Sequence, residues 1–387
     1  MRRDVTAKLG AIALFWLAIG LVQVFNWGHG EAKAIILLLL LLATPLAVIV
    51  AQRGPSPLPP RLQRLASLGG LALLALQLLY LGLRIVDPHL IDIATTTLAA
   101  GRALLHGLNP YAAHIDGGPE THGVTGYKYL PVMIATYLPL GQLFSQRGIL
   151  LTNLLLFLAC LVLVRRLGRS ALAPFLLLML PLVPEQIFAK GATDLAAVLP
   201  LLGAFATTRR RPFVSGFCLG LSIAAKPVPG VTFLPALTPP RERLTYLTGL
   251  ALGLAPILPF LWWAPHAFLA NIFFFNLNRS ADATSWLFGL PRAIATNAHV
   301  VTILLILGAG LYVAKRNPSL ATRCGIGIML TLAALLSGPG AHHNYQLWWL
   351  PFAAILLSRA LDRSDREACQ EADLRYISAA RLDARGS

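Results

Sequence analysis

The sequence has few charged residues and few cysteines, and each shortage excludes a class of protein. Only 12% of the 387 residues are charged, whereas 56% are hydrophobic, and several apolar runs approach the ~20 residues that cross a bilayer. A soluble domain built around one hydrophobic core is therefore excluded. The four cysteines, Cys160, Cys218, Cys324 and Cys369, show neither a disulfide pattern nor a zinc-binding pattern.

Acidic residues are also scarce, with 16 Asp and Glu against 32 Lys and Arg, so the formal net charge is +16. The basic residues stand in short clusters between apolar runs, as the positive-inside rule predicts for cytoplasmic loops. No nucleic-acid-binding motif accompanies them. Membrane orientation accounts for the charge, and we expect no nucleic-acid partner.

The apolar runs predict an all-α, polytopic membrane protein with about twelve transmembrane helices. The first run, residues 9–25, follows Met1-Arg2-Arg3 and has no small-residue cleavage site, so we interpret it as a retained span with a cytoplasmic N-terminus. Residues 33–50 return, and Ala66 to Val86 forms the third span. Residues 129–164 resemble two short helices but need only one net crossing, so one of the two is expected to be re-entrant or interfacial.

Counting backwards from the C-terminus gives the same orientation. Arg359, Arg363 and Arg366 place the C-terminus inside by the same charge rule. The chain then divides into a transmembrane domain, residues 1–361, and a charged cytoplasmic tail, residues 362–387.

The polar insert from Asp87 to Tyr129 follows the third span and is expected to face outward as the catalytic loop. Within it, Ile91 to His106 has the apolar spacing of a helix, and Gly107 is placed to end that helix. Asn109-Pro110-Tyr111 predicts a rigid turn. Residues 114–125 are rich in glycine and polar side chains, which predicts a mobile loop.

Polar residues in or beside distant apolar runs all fall on the predicted outer face. An ionisable residue at membrane depth costs roughly 2.5–3.5 kcal/mol on insertion scales, so such residues usually line a cavity or a site. The set comprises Asp87, Asp92, Glu185, Asp194, Lys226, Arg279, His342, His343 and Tyr345.

Several short motifs in this order resemble glycosyltransferase family 87. Asp92 precedes a helical stretch that ends in Arg102-Ala-Leu-Leu-His-Gly-Leu-Asn-Pro-Tyr111, and Tyr129-Leu-Pro131 follows. Further motifs of the family are similar to Gly191-Ala-Thr-Asp194, to the glycine-rich stretch that ends in Lys226-Pro227, and to Gly338-Pro-Gly-Ala-His-His-Asn-Tyr345. The resemblance is collinear from about Ala66 to Leu361. It implies a GT-C-type bundle with an outer loop helix after the third span.

The resemblance also implies a reaction, which is inverting transfer of a sugar from a polyprenyl-phosphate donor to a hydroxyl of a lipid or glycan acceptor. Mannose is expected on the resemblance alone. Asp92 is the expected general base, with Asp87 as the second candidate, although Asp92 also suits an ordinary helix start and Asp87 an ordinary exit from the membrane. Candidate ligands of the donor phosphate are Lys226, Arg279, His342 and His343. Candidate substrate-binding residues are Asn109, Tyr111, Tyr129, Glu185, Asp194 and Tyr345.

No cofactor is expected beyond the lipid-linked sugar substrate. No metal is expected either, because the outer face lacks Asp-X-Asp and His-X-X-X-His spacings. Membrane lipids are the surrounding partner, and a bacterial plasma membrane with the site facing outward is the expected location.

A secondary transporter or a flippase of lipid-linked sugars is the alternative, because it would also combine about twelve spans with intramembrane charges. Transporters of this kind usually carry internal repeats. The sequence shows no second copy of the insert or of Lys226-Pro227, which favours the transferase.

Overall fold

The computed structural model describes Thr44 and residues 60–115, 126–237, 242–275, 291–338, 340 and 342–360. Every regular element in these ranges is helical. The predicted first two spans, most of the loop at 114–125, Arg279 and the tail at 362–387 lie outside the described residues. The helices, numbered in chain order, are α1 Pro60–Val86, α2 Asp92–Leu105, α3 Pro131–Phe144, α4 Gln146–Gly168, α5 Leu172–Leu178, α6 Leu182–Ala189, α7 Leu195–Thr207, α8 Pro212–Ala225, α9 Pro227–Leu237, α10 Arg243–Leu254, α11 Ile257–Trp263, α12 Pro265–Phe274, α13 Arg292–Arg316, α14 Leu320–Ser337 and α15 Leu350–Ala360.

Four of the described helices, α1, α4, α13 and α14, are long and apolar enough to cross a membrane. The bent pairs α5–α6 and α10–α11 raise this number to six if each pair forms one span. The all-α membrane class is thus consistent with the structure, whereas the predicted count of about twelve crossings is not confirmed. Many of the described apolar helices, α7, α8 and α9 among them, have only 10–17 residues, which is short for a span.

The polar insert begins with the predicted helix. Helix α2 runs from Asp92 to Leu105, one residue shorter at each end than expected, and Gly107 follows with a φ of +73°. A left-handed residue of this kind ends a helix most easily when it is glycine. The backbone N–H of Tyr111 donates to Asn109 Oδ1 at 2.9 Å, which closes the predicted turn.

Helices α3 and α4 occupy the region for which the sequence predicts two helices but one crossing. Helix α3 has 14 residues and lies along α2, where Gly101 contacts Leu138 and Gly141 contacts Leu98. Only α4, with 23 residues, is long enough to be a candidate span. The helix lengths therefore agree with one membrane crossing and one shorter helix that does not cross.

Helices α8 and α10 cross with their backbones in close contact, and each contributes a Gly-X-X-X-Gly motif. A Cβ atom on Gly216 would meet the carbonyl oxygen of Tyr246, and one on Gly249 would meet that of Phe213. Small residues at such a crossing allow two backbones to touch, which suits helices in lipid because packing rather than apolar burial drives their association.

The two ends of the bundle differ in chemistry. At one end α2 and α7 begin, α8 ends, and the chain turns between α14 and α15. At the other end basic side chains lie on the helix termini, where Arg359 donates to the carbonyl of Leu167 at 2.5 Å and Arg323 to that of Ala236 at 2.6 Å. We call the first end the polar-loop end and the second the basic end.

Candidate functional site

The centre of the polar-loop end is Asp194, whose side chain is fully buried. Its Oδ1 accepts hydrogen bonds from Lys226 Nζ and from the indole N–H of Trp348, both at 2.5 Å. Its Oδ2 accepts from the amide of Asn344 at 2.8 Å. Three donors from two distant segments therefore satisfy one carboxylate, which offsets the cost of burying it.

Local sequence explains how each donor reaches Asp194. Lys226 precedes Pro227, and a residue before proline avoids the helical conformation, so α8 ends there with Lys226 extended at φ −142° and ψ 123°. Asn344 and Trp348 lie four residues apart in the 3₁₀ turn His343–Trp348. Asp194 itself immediately precedes α7, where the positive end of the helix dipole stabilises a carboxylate.

Aromatic rings enclose the Lys226 ammonium group. Its Nζ lies 5.5 Å from the ring centres of Tyr129 and Trp348 and 5.3 Å from that of Tyr345. The rings of Tyr345 and Trp348 stack on each other at 4.3 Å. A cation at this distance from aromatic faces gains electrostatic stabilisation. Lys226 was predicted as a ligand of the donor phosphate, but in the structure its charge is paired with Asp194 inside the protein.

The loop before Asp194 is fixed from two sides. Gly191 has a φ of +66° and packs on Leu90 and Ala94, while the N–H of Ile91 donates to the carbonyl of Lys190 at 2.9 Å. From α4, the fully buried amide of Asn153 donates to the carbonyls of Ile187 and Ala192. The start of α2, which carries Asp92, is thereby tied to the loop that carries Asp194.

Asp92 is half-buried in the first turn of α2. Its backbone carbonyl accepts hydrogen bonds from the hydroxyls of Thr95 and Thr96, yet no residue that the structure describes donates to its carboxylate. A half-buried carboxylate without a protein donor retains its acceptor capacity for a bound molecule.

Tyr129 lies within electrostatic reach of both carboxylates. Burial first, and then the negative charge of Asp92, raise the pKa of the Tyr129 hydroxyl well above its ordinary value of 10.0, and Tyr345 and Asp194 act in the same direction. Tyr129 is therefore a neutral phenol at physiological pH. Its hydroxyl can therefore donate a hydrogen bond to a bound molecule close to the two carboxylates.

Asn109 and Tyr111 form the turn that holds Tyr129 in place. Both are buried, at 6% and 1% exposure. The hydroxyl of Tyr111 donates to the backbone carbonyl of Tyr129 at 2.8 Å, and its ring packs edge-on against Phe268 at 4.7 Å. The sequence predicted that Asn109 and Tyr111 bind substrate, whereas the structure places them in the scaffold that positions Tyr129.

The two histidines of the late motif lie beside the cluster. His342 and His343 are both half-buried, and the ring of His342 packs edge-on against Tyr345 at 5.2 Å. Since Tyr345 in turn contacts Lys226, the histidines border the aromatic wall around the ion pair.

Other predicted residues stand apart from the cluster. Asp87 is exposed, and its carboxylate lies 3.7 Å from the ring of His89. Glu185 forms a half-exposed ion pair with Lys190 at 3.0 Å. Arg279 lies outside the described residues.

Sequence reasoning missed two donors to Asp194 and one support of its loop. Asn344 lies inside the quoted His-His-Asn-Tyr run, and Trp348 follows it by four residues. Asn153 was not singled out, although an amide inside the apolar stretch of α4 is a signal of internal hydrogen bonding. Within the described ranges, no three His, Cys, Asp or Glu side chains are grouped as a metal site would need.

No protein-family model matches this chain, and no curated protein or solved structure is detectably similar. The resemblance to glycosyltransferase family 87 therefore remains a prediction from motifs, and the function has to be argued from the site.

Proposed function

We propose that the protein is an inverting glycosyltransferase that moves a sugar from a polyprenyl-phosphate carrier to an acceptor hydroxyl, with Asp92 as general base. The observation that carries the proposal is the half-buried Asp92 carboxylate, which no described residue neutralises, beside the neutral phenol of Tyr129. A base of this kind contributes about 10²–10⁴ in rate when it removes a proton in the transition state.

In this mechanism Asp92 takes the proton of the acceptor hydroxyl as the oxygen attacks the anomeric carbon. The bond between that carbon and the donor phosphate breaks, and its electron pair leaves with the polyprenyl phosphate, so the configuration inverts. The proton on Asp92 then passes to water or to the departing phosphate. The phenol of Tyr129 donates a hydrogen bond to a sugar or acceptor oxygen.

The Asp194–Lys226 pair has a supporting role in the proposal. Lys226 is only 6% exposed and already binds Asp194, so it holds the wall of the site instead of meeting the phosphate. His342 and His343 border that wall and are the remaining described candidates for the phosphate contact. Mannose is the proposed sugar and a lipid or glycan is the proposed acceptor, both by the family resemblance alone.

The direct test is transfer from radiolabelled polyprenyl-phosphate-mannose to endogenous lipids in membranes that contain the protein. We expect Asp92→Asn at matched expression to lower transfer by about 10²-fold or more, because the amide cannot accept the proton. Asp87→Asn is the matched control, since Asp87 is an exposed carboxylate of the same insert, and it should retain activity. Equal loss in both variants would contradict Asp92 as the base.

A transporter is the second candidate, and the buried Asp194–Lys226 pair favours it because paired charges in a helix bundle often mark a substrate or proton path. The pair lies at helix ends, however, where α7 begins and α8 ends. Uptake or flipping of a lipid-linked sugar by proteoliposomes, in the absence of any transfer product, would support the transporter and overturn the transferase.

A further inference from the structure

A cleft of about 940 Å³ opens at the basic end of the bundle, between the start of α1 and the end of α4. Four arginines line it, Arg64 from α1, Arg165 and Arg166 from the last turn of α4, and Arg169 just beyond. Among the described residues that line it, none is Asp or Glu. The described lining of the cleft is therefore positively charged.

The rim of the same cleft is apolar. Leu68 and Val162 line it and are 65% and 64% exposed. Both lie on helices that qualify as membrane spans, and Leu65 and Leu71 continue the exposed apolar surface along α1. A molecule in this cleft thus meets guanidinium groups at one side and a lipid-facing helix surface at the other.

The helix dipole stabilises arginines at a helix C-terminus, and the positive-inside rule predicts them at this end of a membrane protein. Neither effect requires four of them to line one cleft that also opens onto the apolar surface of two candidate membrane spans. A phosphate group suits this lining, because the planar guanidinium group binds phosphate oxygens in pairs.

We propose that the cleft binds the phosphate headgroup of an anionic phospholipid. Basic pockets between transmembrane helices are a recurrent form of headgroup site. The phosphate lies among the four arginines, and the acyl chains follow the exposed apolar surface of Leu68 and Val162. Since Arg64 lies 22 residues before the end of α1 at Val86 and a helix rises about 1.5 Å per residue, this site is about 33 Å along the helix from the insert that carries Asp92.

The test is a binding measurement on full-length protein in mixed micelles, with phosphatidylglycerol as the anionic probe, phosphatidylcholine as the neutral probe and native mass spectrometry as the readout. One variant carries Arg64→Gln, Arg165→Gln, Arg166→Gln and Arg169→Gln. The control removes the same charge from four exposed arginines on helix termini and loops of the basic end, as Arg210→Gln, Arg211→Gln, Arg243→Gln and Arg316→Gln.

We expect wild type and control to retain phosphatidylglycerol in preference to phosphatidylcholine, and the cleft variant to bind phosphatidylglycerol roughly tenfold more weakly or worse. Equal retention by all three proteins would overturn the site. Complete displacement of the lipid by millimolar inorganic phosphate would overturn the lipid as occupant, since it would show that the cleft takes a soluble phosphate. Unchanged thermal unfolding of the cleft variant without lipid separates lost binding from misfolding.

Discussion

Asp194 and Lys226 form the most buried ion pair among the described residues, with side-chain exposures of 0% and 8%. Desolvating two charges is costly, and their attraction compensates only when other hydrogen bonds complete the geometry. Asn344 and Trp348 provide those bonds to the carboxylate, and three aromatic rings surround the ammonium group. Loss of either partner would leave the other charge buried without its counter-charge.

A double-mutant cycle on this pair tests the argument. We expect Lys226→Met and Asp194→Asn each to lower the free energy of unfolding by about 3–5 kcal/mol, and the double variant to lose clearly less than the sum. Denaturant titration in mixed micelles measures these differences.

The half-exposed pair Glu185–Lys190 is the matched control for that cycle, because its charges stay in contact with solvent. Glu185→Gln and Lys190→Met should each cost at most about 1 kcal/mol. Additive losses at Asp194 and Lys226 would show that the two side chains are buried independently and do not form a coupled pair.

At the scale of helices, the local sequence predicted where helices end but did not predict which distant segments meet. Gly107 and Pro227 end α2 and α8 where the sequence indicates, because glycine adopts the left-handed conformation without strain and proline disfavours a helical residue before it. The pairing of Lys226 with Asp194 depends on how α7, α8 and the 3₁₀ turn meet, and no spacing in the sequence encodes that meeting. The sequence thus identified the charged residues of the site but not the contact between Lys226 and Asp194.

The crossing of α8 and α10 leads to a second prediction, at the element scale. Gly216→Ala places a methyl group on the backbone carbonyl of Tyr246, so the helices must separate, and overpacking of this kind typically costs about 1–3 kcal/mol. Thermal unfolding in detergent should show a lowered midpoint.

Gly308→Ala is the control, because Gly308 lies inside α13 with no neighbouring atom within 4 Å of the added methyl. Alanine is favoured over glycine in a helix by about 1 kcal/mol, so this variant should be neutral or slightly more stable. Equal destabilisation by both substitutions would indicate a general effect on helices and would contradict the close crossing.

For the whole molecule, the two proposed sites lie at opposite ends of the helix bundle. The half-buried Asp92 carboxylate, the buried ion pair and the histidines lie at the polar-loop end, whereas the arginine cleft lies at the basic end. The positive-inside rule predicts that the basic end faces the cytoplasm. The proposed transfer and the proposed lipid site are then on opposite membrane surfaces, and a variant of one leaves the other intact.

Labelling with a membrane-impermeant maleimide in intact cells tests this orientation. The background replaces Cys160, Cys218, Cys324 and Cys369 by serine or alanine, and single cysteines are then introduced by His89→Cys in the polar loop or Arg210→Cys at the basic end. Both positions are exposed, so accessibility of the thiol reports the membrane side and not burial. We expect His89→Cys to react in intact cells and Arg210→Cys only after permeabilisation. The reverse pattern would place the Asp92 site on the cytoplasmic side. The lipid-linked donor would then have to present its sugar on the inner leaflet, which would contradict the outward-facing mechanism.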